Sequence, residues 1–531
     1  MTIAISRLAL VFVWIVCSRF FVSSTDATAE EYLAQGDQLL SSGSIHESIS
    51  VYQQGLELIE QVYQQQDDND DYLPPSLLTE ISLHTNLATA WSSTGNDEQA
   101  AASYQDALVA YQTNIEHIVD KSLKAEIDLI TAQTAFFLGM VYQDLPNASA
   151  KDAVDAYRYA FQLDPLHWAA VANLASVLHD DLANHDAALE AYNQAYNILT
   201  GDQEPTDPPA EPQYILSQLQ YRIGLCLNHD VNRKCVIPDE TTGESTIVDC
   251  SQQAAYAFHL AVEYDPDNES AKHMLATLTA DASVERASNT YVKSLFDDYA
   301  KNFEHSLVQE LGYTGYERLR RGFDRAFVKL AAAGGSMGSP ESPTPVFDLV
   351  VDAGCGTGLV GEQFRNVSKT LIGVDLSEAI LKQALEKRPN LYDETIADDV
   401  MKVFRDKKPI SLIIAGDSYI YFGDLDPLFE AMKDGLEHGG FAAFTLENVD
   451  KESEETLATT KPDWRWQLTP SGRFAHRKTY VEQVGIDHDL HLVHHEPLVD
   501  FRFERGVGVQ GHVFVLRKGI KSKLNPTSDE L

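Results

Sequence analysis

The chain has 531 residues, more than a single hydrophobic core usually supports, so we expect two or three domains. It carries 80 acidic residues against 40 basic ones, a formal net charge of −40. A nucleic-acid backbone would be repelled by such a chain, so the charge disfavours nucleic acid and favours neutral or basic partners. The hydrophobic share of 44% is that of an ordinary globular protein.

The first 29 residues have the layout of a secretory signal. The apolar run Leu8–Cys17 follows Arg7 and reaches only about half of the ~20 residues that a membrane-spanning helix needs. Small residues then lead to Ala27-Thr28-Ala29, an A-x-A cleavage pattern. We therefore predict a removable signal and no stable membrane span, with an uncleaved signal anchor as the alternative.

The other terminus carries a related pattern. Residues 519–531 form a short tail that ends in Ser528-Asp529-Glu530-Leu531, which resembles the K-D-E-L family of endoplasmic-reticulum retrieval signals. Together with the signal, it predicts residence in the endoplasmic-reticulum lumen, and a cytoplasmic location is the alternative. Asn-x-Ser acceptors for glycosylation at Asn147, Asn268 and Asn366 are compatible with that route.

Two of the five cysteines flank one polar insert. Cys235 and Cys250 enclose Val236–Asp249 and could close a loop worth about 3 kcal/mol on the chain-entropy account. Two free thiols are an equally open interpretation. Cys226, on a helical pattern, and Cys355, in a glycine-rich loop, are expected to be unpaired.

Residues 30–285 are helical in period and repeat a pattern of small and aromatic positions. The clearest positions are Leu87-Ala88, Tyr104 and Ala107; Leu138-Gly139, Tyr157 and Ala160; Leu174-Ala175, Tyr192 and Ala195; and Ile223-Gly224, Phe258 and Ala261. The pattern resembles the tetratricopeptide (TPR) repeat, which implies an all-α solenoid whose concave face binds a protein or peptide. Self-association or shielding of the next domain is the alternative role.

Residues 286–344 lack the repeat pattern. The segment Tyr291–Leu307 resembles the helical lead-in of methyltransferases fused to such repeats, where this region can lie over the cofactor. Tyr299 is its candidate ligand-facing side chain. Ala331–Thr344, rich in glycine, serine and proline, is predicted to be a flexible link.

A short β-branched run, Phe347–Asp352, predicts a buried parallel strand. It leads directly into Gly354-Cys-Gly356-Thr-Gly358, after which a helix is expected over Leu359–Val367. Glycines allow the sharp turn and a close backbone approach to a ligand. Gly356–Gly361 also satisfies the G-x-G-x-x-G dinucleotide pattern, so the loop alone leaves that ligand open.

The segments that follow narrow the choice of ligand for this glycine loop. The strand Thr370–Asp375 ends in a carboxylate suited to ribose hydroxyls. Leu412–Leu425, which contains Asp417 and Tyr421, resembles the fourth-strand motif of class I S-adenosylmethionine-dependent methyltransferases. Gly439–Leu446 and the terminal strand His512–Arg517 match the same family. The resemblance covers residues 290–518 and implies a doubly wound, seven-stranded methyltransferase domain over 345–518, so the fold class is α + α/β.

The resemblance also implies site residues for S-adenosylmethionine as cofactor. The expected cofactor-binding residues are Asp352 for the cationic amino-acid end, Gly354, Gly356 and Gly358 for the methionyl part, Asp375 with Leu376 for the ribose, Asp398 or Asp399 for the adenine, and Asp417 beside the methyl group. A helix cap is the alternative role for one of the adjacent pair of aspartates.

Methyl transfer needs alignment with an activated sulfonium, and a base only where the acceptor must lose a proton. Asp417, Tyr421 and His476 are the candidate catalytic residues, and no metal is implied. The leading hypothesis is a methyltransferase acting on a protein or peptide presented by the repeats. A small-molecule methyltransferase that uses the repeats for assembly, and an inactive adaptor of the secretory pathway, are the alternatives.

Overall fold

The computed structural model describes residues 28–64, 77–230, 233–238, 245–279, 281, 283–300, 302–332, 344–449, 451–504 and 506–519. It divides the chain into two compact units, Met1–Pro266 and Asp267–Leu531. The division precedes the predicted boundary at residue 285, because the helix that follows Pro266 belongs to the second unit. The predicted signal, the C-terminal tetrapeptide and most of the predicted link over 331–344 lie outside the described residues.

Helices dominate the first unit. In chain order its described α-helices are α1 (Ala29–Ser41), α2 (Ile45–Gln64), α3 (Leu77–Ser93), α4 (Asp97–Asn114), α5 (Lys121–Asp144), α6 (Ala150–Leu163), α7 (Trp168–Asp180), α8 (His185–Thr200), α9 (Pro212–Asn228) and α10 (Cys250–Tyr264). Each helix packs chiefly on its neighbours in sequence. Side-chain caps fix several starts: Thr28 before α1 and Ser149 before α6 each form a capping box with an acidic residue three positions on.

Small residues let the paired helices approach closely. In three pairs a glycine faces an aromatic ring so closely that an added Cβ would overlap it. These pairs are Gly36 with Tyr52, Gly139 with Tyr157, and Gly224 with Phe258. All three rings are buried. In the second and third of these pairs the predicted small and aromatic positions therefore meet across the helices, and the helical character of this region is confirmed.

The cysteine-flanked insert is a β-hairpin between α9 and α10. Strands β1 (Lys234–Pro238) and β2 (Ser245–Asp249) pair antiparallel. A disulfide joins Cys235 to Cys250, whose Cα atoms are 5.0 Å apart, which decides between the two open interpretations in favour of a bond. Cys226 and Cys355 are buried thiols, as predicted.

The second unit combines a sheet with helices on both faces. Its described helices are α11 (Glu269–Thr279), α12 (Asn289–Tyr299), the short turn α13 (Phe303–His305), α14 (Gly315–Ala332), α15 (Leu359–Phe364), α16 (Glu378–Lys387), α17 (Val400–Asp406), α18 (Asp426–Gly435), α19 (Lys451–Thr460) and α20 (Lys478–Asp487). Its described strands are β3 (Phe347–Ala353), β4 (Ser368–Asp375), β5 (Glu394–Ala397), β6 (Ile410–Ala415), β7 (Leu436–Glu447), β8 (Trp466–Leu468), β9 (Phe474–His476), β10 (Leu490–Leu498), β11 (Phe503–Glu504), β12 (Val507–Gly508) and β13 (Gly511–Lys518).

The main sheet has the strand order β10-β13-β7-β6-β3-β4-β5. Strands β3 to β7 run parallel, whereas β13 inserts antiparallel between β7 and β10. The predicted seven strands and the antiparallel terminal strand are thus found in the described part. Two further short strands, β8 and β9, were not predicted: β9 pairs with β7 and with β8.

Alternating side chains of the central strands face two separate cores. Val350 of β3 points to a core shared with α14, α15 and α16. Its neighbour Val351 points to the core shared with α17, α18 and α20. Burial on both faces explains why these strands are continuous apolar runs. Within the described residues, no helix is both long and apolar enough to cross a membrane.

The direction in which successive strands are added to the sheet reverses at β3. From β3 the chain proceeds to β4 and β5 on one side, then returns to β6 and β7 on the other. Ligands of such open parallel sheets bind outside the carboxyl ends of the strands where this order reverses. The topology therefore predicts a ligand site at the edge of the sheet beside β3 and β6.

Candidate active site

A cavity of about 300 Å³ lies at that edge. Its floor is formed by residues that follow the carboxyl ends of β3, β4 and β6 and by the start of α17. Its cover is mainly apolar and comes from α12, α13 and the segment up to Tyr313. A cavity of this size with a few polar groups in apolar walls has the properties of a small-molecule site.

The glycine loop forms one wall. Gly354 and Gly356 line the cavity, and both have positive φ, +70° and +53°. A Cβ on Gly354 would overlap the Ser418 hydroxyl, so only glycine fits there. Gly358 begins α15 at φ +96° and lies outside the lining, where a Cβ would meet Leu391 at 2.7 Å. Gly358 therefore shapes the loop, in contrast to its predicted ligand contact.

Asp352 occupies a different place from the predicted one. It is fully buried behind the loop, and Tyr392 donates a hydrogen bond of 2.7 Å to its Oδ2. Burial raises the pKa of Asp352 to about 7. Because Asp352 is not among the lining residues, its position does not support the predicted direct contact with a cationic ligand.

Asp375 and Leu376 both line the cavity at the end of β4, where the sequence analysis predicts them. The Asp375 carboxylate accepts hydrogen bonds from the amides of Gly356, at 3.0 Å, and Ser377, at 3.1 Å. Burial raises its pKa, and these N–H donors oppose that shift. The carboxylate thus ties the glycine loop to β4 while it faces the ligand space.

The adjacent aspartates Asp398 and Asp399 differ in their position relative to the cavity. Asp399 lines the cavity and also caps α17, so the cap and the cavity residue are one side chain. Arg286 and Asn289 donate to it at 2.7 and 3.0 Å. Asp398 lies outside the lining and pairs with Lys402. The structure therefore favours Asp399 over Asp398 for a ligand contact.

Asp417 follows β6 in a left-handed conformation, φ +52°, and lines the cavity. Its amide donates to the Thr445 hydroxyl at 2.8 Å, and that hydroxyl donates back to Oδ1 at 3.0 Å. Burial raises the pKa of Asp417, and the guanidinium of Arg502 opposes the shift. Asp417 is thus held in one orientation at the sheet edge.

Arg502 is a cavity residue that the sequence analysis misses. Only 1% of its side chain is exposed, and it forms ion pairs with Asp417, Glu447 and Glu504. Arg473 also lines the cavity and pairs with Glu504. The sequence offers one local signal, since Arg473 lies three positions before the candidate catalytic residue His476. Nothing near Arg502 in the sequence connects it to Asp417.

The two candidate proton acceptors differ in placement. Tyr421 lines the cavity, where its ring packs edge-on against Phe296 at 5.8 Å between centroids. His476 is fully buried outside the lining, with Nε2 3.2 Å from the Gly423 carbonyl oxygen. Burial lowers the pKa of His476 to about 4. The prediction of His476 as a catalytic base is therefore corrected: the residue is a neutral core histidine.

The lead-in segment covers the cavity, as the resemblance implies. Phe296 and Tyr299 of α12 line it, together with Phe303 and Leu307. The prediction that Tyr299 faces the ligand space is confirmed by this placement.

Comparison with known families agrees with this geometry. Residues 350–440 match the family model described as a methyltransferase domain. The C-terminal part of the chain therefore carries a methyltransferase domain. Residues 30–164 match a second model, described as a protein of unknown function (DUF2753). No curated protein matches the sequence.

Solved methyltransferases share only distant likeness with the chain. Magnesium protoporphyrin IX methyltransferase from Synechocystis, with bound S-adenosylhomocysteine, is 12% identical over 44% of this chain and 100% of its own, with a TM-score of 0.31. An S-adenosylmethionine-dependent methyltransferase from Clostridium acetobutylicum is 16% identical over 42% of this chain and 99% of its own, with a TM-score of 0.30. Likeness at this level says nothing about the acceptor.

Proposed function

We propose that the methyl donor is S-adenosylmethionine and that it lies along the sheet edge, with its nucleoside toward β4 and β5 and its amino-acid end toward β3 and β6. Asp375 would accept hydrogen bonds from the ribose hydroxyls, and Asp399 would meet the adenine amine. Gly354 and Gly356 would flank the amino-acid end. The observation that carries this proposal is that one cavity collects these residues from three different strand ends and the start of α17.

S-adenosylmethionine supplies an electrophilic methyl group on a sulfonium. Around it, the apolar cover from α12 and α13 would exclude water, and Asp417, fixed by Thr445 and Arg502, would hold the acceptor side of the cavity. Tyr421 lines the same region and would accept or orient an acceptor proton where the acceptor carries one. Most of the rate enhancement would then come from alignment.

Calorimetric titration with S-adenosylmethionine tests the placement of the donor. Asp375→Asn is expected to weaken binding roughly tenfold or more, since a carboxylate acceptor becomes a weaker amide. Asp399→Asn against Asp398→Asn is a matched pair of neighbours, and only the first should weaken binding. Equal effects of that pair, or wild-type affinity in Asp375→Asn, would contradict the orientation.

We further propose that the helical unit is a TPR array that recruits a protein or peptide acceptor. The glycine-to-ring contacts of its helix pairs support the repeat assignment. Its charge supports a basic acceptor: residues 28–266 contain 37 acidic and 7 basic residues, a difference of 30 negative charges. Such a surface would raise the local concentration of a lysine- or arginine-rich peptide.

Transfer of a labelled methyl group into a lysate separates the acceptor classes. Label in basic proteins that declines steeply with added salt is the expected result, because surface attraction is screened. Label found mainly in small molecules would instead favour a small acceptor held in the enclosed cavity.

We also propose that the protein resides in the endoplasmic-reticulum lumen. The Cys235–Cys250 disulfide supports an oxidising compartment, in addition to both terminal patterns. Deletion of Ser528–Leu531 is expected to release the protein into the medium. Retention of the shortened protein inside the cell would count against a retrieval signal.

A further inference from the structure

The three Asn-x-Ser acceptor sequences have different surroundings in the structure. Asn147 is exposed and lies in the turn between α5 and α6. The amide of Ala148 donates to the carbonyl oxygen of Leu145 at 3.1 Å, which closes a β-turn with Pro146 and Asn147 as its central residues. Proline favours the first of these two positions. The backbone therefore closes this turn, and the Asn147 side chain is left at the surface.

The third position of this acceptor sequence, Ser149, is exposed as well and is the N-cap of α6. Its Oγ accepts a hydrogen bond from the amide of Asp152 at 3.3 Å and donates one to the Asp152 carboxylate at 2.7 Å. Threonine and asparagine also serve as N-caps, so the hydroxyl is replaceable in its structural role. The acceptor sequence can therefore be removed without removing the helix cap.

Asn268, in contrast, is part of the folded structure. Only 7% of the residue is exposed, and its Oδ1 accepts a hydrogen bond from the amide of Ala271 at 2.9 Å, at the start of α11. A glycan is bulky and needs an attachment atom at the surface. The folded protein therefore has no room for a glycan at Asn268.

Asn366 is exposed, but its acceptor sequence is held by the fold at two positions. Its Oδ1 accepts a hydrogen bond from Arg320 at 2.7 Å. Ser368, the third position, is the first residue of β4 and is 7% exposed, and its hydroxyl donates to the carbonyl oxygen of Phe364 at 2.8 Å. Of the three acceptor sequences, the one at Asn147 thus has both its asparagine and its serine at the surface.

We propose that Asn147 carries an N-linked glycan. This inference rests on the proposed residence in the endoplasmic-reticulum lumen. The side-chain nitrogen Nδ2 forms a bond to the anomeric carbon of an oligosaccharide supplied as a lipid-linked pyrophosphate. The bond between that carbon and the pyrophosphate oxygen breaks, the lipid pyrophosphate leaves, and Nδ2 loses one proton. The product fits the turn, because the sugar extends into solvent from an exposed side chain.

Removal of the glycan by peptide N-glycosidase tests the assignment. The full chain is produced in eukaryotic cells, and its gel mobility is measured before and after treatment. Treated wild type is expected to migrate faster, and peptide mass spectrometry should find aspartate at position 147 in place of the modified asparagine. Asn147→Gln should abolish this mobility shift, whereas Asn268→Gln and Asn366→Gln should retain it in full.

Two substitutions at position 149 provide a matched pair. Ser149→Thr keeps both the helix cap and the acceptor sequence, whereas Ser149→Asn keeps the cap alone. Only Ser149→Asn should lose the mobility shift. A shift that persists in Ser149→Asn or in Asn147→Gln would overturn the proposal.

Protease protection in membrane vesicles separates this inference from the proposed location. A chain that is protected inside the vesicles and shows no mobility shift would overturn the glycan alone. A chain that added protease digests without detergent would refute residence in the lumen, and the glycan with it.

Discussion

Replacing Arg502 with methionine is expected to lower the free energy of unfolding of the methyltransferase unit by about 3–5 kcal/mol. Arg502 compensates Asp417 and Glu447, whose side chains are 13% and 6% exposed. Methionine would leave both carboxylates buried without their cation. The third partner, Glu504, is 27% exposed and can be hydrated, so it should contribute little to the loss.

For a unit of this size, that loss corresponds to a melting temperature about 6–20 °C lower, measurable by differential scanning calorimetry. Arg473→Met is the matched control. Arg473 pairs with Glu504 at a more exposed position, 23% for its side chain, so its loss should cost about 1 kcal/mol or less.

The pH dependence provides a second check. Burial raises the pKa of Asp417 in the folded protein, and removal of Arg502 should raise it further. A carboxyl group with a raised folded pKa destabilises the folded state above that pKa, and the penalty disappears as the pH falls and the group binds a proton. The difference between Arg502→Met and wild type should therefore shrink as the pH falls from 7 toward the ordinary carboxyl pKa of about 4. A variant that melts within about 2 °C of wild type at pH 7, or a pH-independent difference, would refute the reasoning.

Three other predictions concern stability. Cys235→Ser should destabilise the helical unit by about 3 kcal/mol, since the bond to Cys250 spans 15 positions; melting with and without reductant measures this, and wild type should be the more sensitive to reductant. Because the folded pKa of His476, about 4, lies below its unfolded value near 6.5, stability should fall as the pH drops from about 6.5 to 4, and the slope should be shallower in His476→Gln; identical slopes would contradict the assignment. Gly139→Ala places a Cβ 2.6 Å from the ring of Tyr157 and should cost about 1–3 kcal/mol, read as a lower denaturation midpoint; an unchanged midpoint would show that the ring can yield.

Local sequence patterns were sufficient to predict the central strands and the glycine loop of the methyltransferase unit. Phe347–Asp352 and Thr370–Asp375 have continuous apolar centres, Leu349–Val351 and Leu371–Val374, because both faces of those strands are covered there. The observed strands extend the two predicted ranges by one or two residues. The glycine loop was equally readable, since Gly354 and Gly356 need positive φ, which other residues adopt only at a cost.

The contacts between charged side chains at the site could not be predicted from local sequence patterns. Arg502 and Asp417 are 85 positions apart and meet only because β13, which begins nine residues after Arg502, inserts beside β7. His476 resembles a catalytic base in sequence, yet the packing of β9 against β7 buries it outside the cavity. No local window contains either relation.

The sequence by itself determined the methyltransferase domain, the glycine loop and the carboxylate at the end of each successive strand, because backbone conformation and apolar periodicity are local properties. The tertiary structure decided which of those carboxylates face the ligand. It turned Asp352 toward Tyr392, kept Asp375, Asp399 and Asp417 on the cavity, and brought Arg502 to the same place. Direction of a side chain depends on the residues packed around it, and these come from distant parts of the chain.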